Sequence, residues 1–177
     1  LKYLKHYLAP GSGTEEGAIF GQNLLLMNGG RWATGDFAGI PPLHERNKDR
    51  AAKLLKYLEN CPIVIVVGSG ADRFQLVHAF PVYYNTITDD FFDDFPSVVT
   101  EELENLCLWN QFMESKINQD IVGLSPTYCG HTALKEPSKS KGIFGIDTGT
   151  GKRNAVLTVV ENPESPELVK FHQFACI

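Results

Sequence analysis

Thr127-Tyr-Cys-Gly130-His131-Thr132 begins the stretch around which this chain is organised. After a short polar segment the stretch continues as Gly142-Ile-Phe-Gly-Ile-Asp147-Thr-Gly149. Each half is apolar at first and then reaches glycine, a pattern that predicts a strand running into a loop. We predict strand, loop and strand, the first strand ending on His131 and the second on Asp147. Gly130 lowers backbone crowding beside His131, so a ligand can approach this side chain. A strand end with an ordinary surface histidine fits the same pattern.

A second histidine also ends an apolar segment. Arg73–Ala79 reads as a strand that ends on His78. The β-branched run Pro62–Val67 precedes it and predicts a strand buried on both faces. Gly68–Asp72 is a turn between them, so the pair predicts a β-hairpin.

Size, charge and cysteine usage bound the class of protein. A chain of 177 residues with 43% hydrophobic residues can form one domain with a real core, which we assign to residues 1–177. The net charge of −5 disfavours nucleic acid as the main partner. The chain has no apolar run near the roughly 20 residues that span a bilayer, so we expect no membrane association. Its four cysteines lack any C-x-x-C spacing, which favours reduced, buried thiols in a cytoplasmic protein.

The remaining segments predict helices early in the chain, strands late, and one long helix between them. The predicted helices are Leu1–Leu8, Ala18–Met27, Asn47–Asn60 and Val99–Ile117; the predicted late strands include Ala155–Glu161 and Leu168–Phe174. Arg31–Glu45 is expected to be loop, because Pro41-Pro42 excludes regular structure. Asp89–Asp94 reads as a solvated acidic loop rather than a metal site. Trp109 and Phe112 are expected to thicken the core side of the long helix. Together these elements predict an α/β or α+β layer, a sheet packed with helices.

Four short blocks in chain order carry a family resemblance. They are Leu26-Met27-Asn28-Gly29-Gly30-Arg31-Trp32, Leu76-Val77-His78-Ala79, Leu108-Trp109-Asn110, and Gly130-His131-Thr132 followed by Ile146-Asp147-Thr148-Gly149. In this order they resemble the calcineurin-like metallophosphoesterases, and among these the phage and bacterial Ser/Thr protein phosphatases of the bacteriophage lambda type. The resemblance runs from Leu1 to about Val160 and covers the second half of the family's domain.

The resemblance implies a metal-dependent phosphatase on a β-sandwich flanked by helices. In this family two divalent ions, commonly manganese or iron, lie about 3.5–4 Å apart and activate a bridging water for attack on phosphorus. It assigns His78 and His131 as metal ligands, with Gly130, Thr132, Asp147 and Asn110 in supporting positions and no catalytic residue in this chain. The expected substrate is a phosphomonoester, including phosphoserine or phosphothreonine. The expected location is the cytoplasm of a bacterium or of a phage-infected host.

The sequence also departs from the family pattern. The motifs of the family's first half, Gly-Asp-x-His-Gly, Gly-Asp-x-x-Asp-Arg-Gly and Gly-Asn-His-Asp/Glu, do not occur in it. We therefore expect the remaining metal ligands to come from a partner chain or from an N-terminal half that precedes Leu1. Gln111 stands where lambda-type enzymes carry a phosphate-binding arginine, and Phe80 stands where the family has glycine or aspartate. Glutamine cannot make the charged, bidentate contact of a guanidinium.

Two other interpretations fit the sequence. A phosphatase-like half-domain can be retained as a non-catalytic binding or structural module, for example in a phage particle. An unrelated α/β domain can match the four blocks by chance, and it predicts that His78 and His131 lie far apart.

Overall fold

The computed structural model describes residue 41 and residues 43–80, 101–112, 125–140, 142–150 and 155–175, with only the backbone of residues 101–103. The chain forms two compact units, Leu1–Cys61 and Pro62–Ile177. The single domain over residues 1–177 stays a prediction. Four features predicted above lie outside the described residues: the helices Leu1–Leu8 and Ala18–Met27, the block Leu26–Trp32 and the acidic loop Asp89–Asp94.

The described part of the first unit is a pair of helices, α1 (Leu43–Arg46) and α2 (Lys48–Glu59). Asn47 separates them, and its side chain accepts a hydrogen bond of 3.0 Å from the Arg50 amide at the start of α2. Asn60 ends α2, so the predicted helix Asn47–Asn60 is confirmed with both asparagines as caps. Ala51 of α2 is buried together with Leu43.

One prediction in this unit is wrong at its end. The loop expected over Arg31–Glu45 is helical from Leu43 onward, and its residues 31–40 lie outside the described part. Prolines are tolerated just before a helix and in its first turn, so Pro41-Pro42 does not prevent a helix from starting at Leu43. Burial of Leu43 against Ala51 then stabilises this single turn.

The second unit is built on a mixed five-stranded sheet. Its strands are β1 (Val64–Val67), β2 (Phe74–Val77), β3 (Thr127–Cys129), β4 (Ser138–Ser140) and β5 (Ile143–Gly145), in the spatial order β1-β2-β3-β5-β4. The three central strands β2, β3 and β5 are parallel to one another, whereas β1 and β4 are antiparallel to their neighbours. β1 and β2 form the predicted hairpin, with a 3-10 turn over Gly70–Asp72.

One face of this sheet packs against α3 (Glu101–Trp109) and the residues that follow it. The core there consists of buried apolar side chains: Val64, Val77, Phe80, Cys107, Phe112, Cys129 and Ile143. The Ala79 amide donates to the Cys107 carbonyl at 2.7 Å, which fixes the end of β2 to α3. Burial raises the pKa of Cys107 to about 11 and that of Cys129 to about 12, so both are inert thiols.

The opposite face is covered in part by a second, two-stranded sheet. This hairpin consists of β6 (Val156–Glu161) and β7 (Lys170–Ala175). Tyr128 stacks on Phe144 with ring centroids 4.7 Å apart, and Phe171 of the hairpin lies 6.2 Å from Phe144. The Tyr128 hydroxyl donates to the Pro163 carbonyl at 2.8 Å. The unit is therefore a mixed α and β layer, as predicted.

Several sequence predictions about burial are corrected. β1 was expected to be buried on both faces, yet its residues Ile65, Val66 and Val67 are exposed. The reason is that β1 is the edge strand of the sheet, whereas the β6–β7 hairpin contacts β3 and β5. Trp109 was expected in the core and is 49% exposed. Cys61 is exposed rather than buried.

The ends of several elements also differ from prediction. The long helix predicted to Ile117 ends at Trp109; residues 110–112 are not helical, and 113–117 lie outside the described part. The short strand β4 lies within the polar segment predicted as loop. Among the described residues, no helix is both long and apolar enough to cross a bilayer.

Candidate metal centre

The candidate site lies where the three parallel strands of the second unit end. His78 directly follows β2, His131 lies two residues after β3, and Asp147 lies two residues after β5. Because the three strands are adjacent and parallel, their carboxyl ends meet at one edge of the sheet. The topology therefore brings together three of the residues that the sequence singled out.

The two histidine rings are neighbours. Their centroids lie 5.1 Å apart with an angle of 63° between the ring planes. The loops that carry them are tied directly, since the Gly130 amide donates to the His78 carbonyl at 2.9 Å. A Cβ placed on Gly130 would lie 3.4 Å from that carbonyl oxygen and 3.7 Å from the Asp147 Cβ. Gly130 is thus the point where the three loops meet.

His131 ends the strand region through its own backbone conformation. Its φ of 66° is in the left-handed region, which an extended strand cannot contain. This explains why β3 stops at Cys129 and not at His131 as predicted. A non-glycine residue in this region is uncommon, and such residues cluster at functional sites.

Thr132 connects the histidine loop to the segment after α3. Its amide donates to the Gly130 carbonyl at 2.7 Å, and its hydroxyl accepts from the Phe112 amide at 2.8 Å. Trp109, the last residue of α3, lies edge-on to His131 with centroids 6.0 Å apart. Sequence reasoning placed Trp109 in the core and missed this contact, although the Trp109-Asn110 block was itself a signal.

Asp147 organises the third loop. Its Oδ1 accepts from the Gly149 amide at 2.8 Å, which forms a local turn. β5 ends at Gly145, two residues before the predicted end at Asp147. Its carbonyl accepts from the Leu134 amide at 2.8 Å. These contacts fit the supporting position expected for Asp147.

Electrostatics favour a neutral imidazole at His78. Burial lowers the pKa of His78 below its ordinary value, the neighbouring His131 lowers it further, and Asp147 acts in the opposite direction. A neutral imidazole has a free nitrogen lone pair, which is the form that binds metal ions. The donor chemistry of this pair therefore fits part of a divalent metal site.

Asn110 and the two departures from the family pattern occupy different environments. Asn110 lies outside α3, and its carbonyl accepts from the Phe80 amide at 3.1 Å. Phe80 is fully buried, with its ring 5.0 Å from that of Phe112. Packing in the core therefore explains why phenylalanine stands at position 80. Gln111 is exposed.

The histidine pair is only part of a ligand set. In the described part of the chain, no group of three or more His, Cys, Asp or Glu side chains is arranged to hold a metal ion. No protein-family model matches this sequence, and no curated protein matches it. The sequence motifs and the geometry of this site are the observations that bear on function.

Proposed function

We propose that this chain contributes two histidine ligands, His78 and His131, to a two-metal phosphoesterase centre that hydrolyses phosphomonoesters. The observation that carries the proposal is the approach of the two imidazole rings to 5.1 Å at the ends of adjacent parallel strands. A chance match of the sequence blocks predicted two distant histidines. In this proposal a partner chain that carries the family's first-half motifs would supply the other ligands.

The residues around the pair support this role. The link between the Gly130 amide and the His78 carbonyl keeps the two loops in register. Thr132 holds the His131 loop against Phe112 in the segment after α3. Rigid placement of ligands on strand ends is what a metal site requires, because affinity depends on preformed geometry. Trp109 lies edge-on beside the His131 ring, 6.0 Å from it between centroids.

The chemistry assigned to the chain itself is limited to binding. Divalent ions, when bound, would polarise a phosphoryl oxygen and activate a water molecule as nucleophile. His78 and His131 would each present one ring nitrogen to such an ion, and a hydrogen bond to the other nitrogen would fix the tautomer. Asp147 maintains the shape of the third loop through the Gly149 amide.

The test is manganese-dependent hydrolysis of an aryl phosphate by the isolated protein, alone and with candidate N-terminal halves of lambda-type phosphatases added as separate chains. We expect hydrolysis only in the combined sample, and its loss in His78→Asn and in His131→Asn. His172→Asn is the matched control, because His172 pairs with Glu161 on the β6–β7 hairpin. Loss of hydrolysis in all three variants alike, or no hydrolysis in any combination, would count against the proposal.

A non-catalytic, phosphatase-like binding module is the second candidate. Two observations favour it: the described residues contain no three-ligand group, and Gln111 replaces the expected arginine. The two candidates differ in one measurable property. A binding module retains its fold and its partner when both histidines are replaced, whereas the phosphoesterase loses metal and activity.

A further inference from the structure

A cavity with cationic walls lies on the α1–α2 helix pair of the first unit. Its volume is about 470 Å³, and the described residues that line it are Leu43, Arg46, Arg50, Lys53 and Leu54. All five belong to the first unit, whereas the histidine pair belongs to the second. Neither the sequence motifs nor the proposed phosphoesterase chemistry uses it.

Helical spacing explains why two of the cations meet. Arg50 and Lys53 lie three residues apart on α2, so they project from the same side of that helix, and Arg46 of α1 lines the same cavity. The acidic residues of these helices, Glu45, Asp49 and Glu59, do not line the cavity. The oxygens of an anionic phosphate can accept hydrogen bonds from the Arg50 and Lys53 side chains on this side of α2.

The cavity combines this charge with an apolar base. Leu43 is buried and Leu54 is half-buried, whereas the three cationic residues are exposed to solvent. Arg46 is held in place, because its Nε donates to the Pro41 carbonyl at 2.7 Å. An arginine whose orientation is fixed loses less conformational freedom when it binds an anion.

We propose that this cavity binds a small organic phosphate. The phosphate group would contact the Arg46, Arg50 and Lys53 side chains, and the organic part would lie on Leu43 and Leu54. Guanidinium groups suit the oxygen geometry of phosphate. The volume falls in the range of small-molecule sites, which is roughly 300–1,000 Å³. The site is independent of the metal-dependent function proposed above.

The probe is adenosine monophosphate, titrated calorimetrically into the full chain in the presence of a chelator. Inorganic phosphate and adenosine are titrated in parallel, because each carries one half of the proposed ligand. We expect saturable binding of adenosine monophosphate, weaker binding of phosphate, and no binding of adenosine. Affinity for the monophosphate should fall as the salt concentration rises.

The decisive variant is Arg50→Ala with Lys53→Ala, compared with Lys48→Ala with Lys56→Ala. Both double variants remove two exposed charges from α2 and introduce a good helix former, but Lys48 and Lys56 do not line the cavity. We expect the first to weaken binding by at least about tenfold and the second by less than about twofold. His78→Asn should leave binding unchanged.

Three outcomes would overturn the inference. One is the absence of saturable binding by adenosine monophosphate or phosphate. Another is equal weakening by the two double variants. The third is that a phosphoserine peptide binds with the same dependence on Arg50 and Lys53 while adenosine monophosphate does not, since that result assigns the cavity to a protein partner.

Discussion

At the scale of single residues, the environment of His78 makes a measurable prediction. Burial and the charge of His131 lower the pKa of His78, and Asp147 acts against them. In the metal-free protein, a titration followed by NMR should give a pKa below the ordinary value of 6.5. His131→Asn should raise that pKa, and Asp147→Asn should lower it further. A pKa of His78 above 6.5 in the parent protein would contradict this account.

The same shift affects stability. A histidine whose pKa is lower in the folded state binds protons more readily when the chain unfolds. The contribution of His78 to stability is therefore complete above pH 6.5 and is lost as the pH falls through its lowered pKa. Chemical denaturation of the metal-free protein at pH 7.5 and at successively lower pH checks the sign. His78→Asn should flatten this part of the profile.

Two glycines near the site should respond differently to alanine. A Cβ on Gly145 would lie 2.7 Å from the Leu134 Cδ1 and 3.2 Å from two ring atoms of buried Phe112. We expect Gly145→Ala to lower the free energy of unfolding by about 1–2 kcal/mol, because the core is already filled. Gly130→Ala is the control, since its Cβ would make only ordinary contacts and its φ is not positive. It should change stability by less than about 0.5 kcal/mol. Equal destabilisation in denaturant titrations would refute this reading.

At the scale of elements, the β1–β2 hairpin depends on Gly68. Its φ is +76°, and an added Cβ would overlap the Asp72 carbonyl oxygen. Gly70, in the same turn, has a φ of +57° but open space around the added atom. We expect Gly68→Ala to cost at least about 2 kcal/mol and Gly70→Ala about 1 kcal/mol, measured as free energies of unfolding. A larger effect at Gly70 than at Gly68 would show that the turn is held differently.

Element types were more predictable than their ends and their burial. The apolar periodicity of α2 and the β-branched run of β1 predicted a helix and a strand, because local pattern determines both. The end of β3 was missed because the left-handed backbone of His131 is not visible in the residue types around it. Exposure of β1 could not be predicted, since it depends on where the β6–β7 hairpin packs.

The residues of the candidate site were predictable, but their proximity was not. Histidines after two apolar strands suggest ligands at a sheet edge, but whether the two strands are neighbours depends on the order of strands in the sheet. β2 and β3 are parallel neighbours although about 50 residues separate them in the sequence, and only the fold establishes this. The contact between Trp109 and His131 depends on where α3 ends, which the helical pattern beyond Trp109 did not indicate.

At the scale of the whole molecule, the chain comprises two units, and a different feature is described in each. The second unit carries the histidine pair at the carboxyl ends of its parallel strands, and the first unit carries the cationic cavity. Two imidazoles alone form a weak metal site, so high affinity requires further ligands. Weak but site-specific metal binding by the isolated chain is the property that the proposal requires.

The most direct measurement of that property is an NMR titration of the isolated protein with substoichiometric Mn²⁺, observing the imidazole signals of all five histidines. A paramagnetic ion broadens the signals nearest to it. We predict selective broadening of His78 and His131 before His44 and His172, and its loss in His131→Asn. Broadening of His172 first, or no selective effect at any histidine, would contradict the central claim that this pair is a metal site.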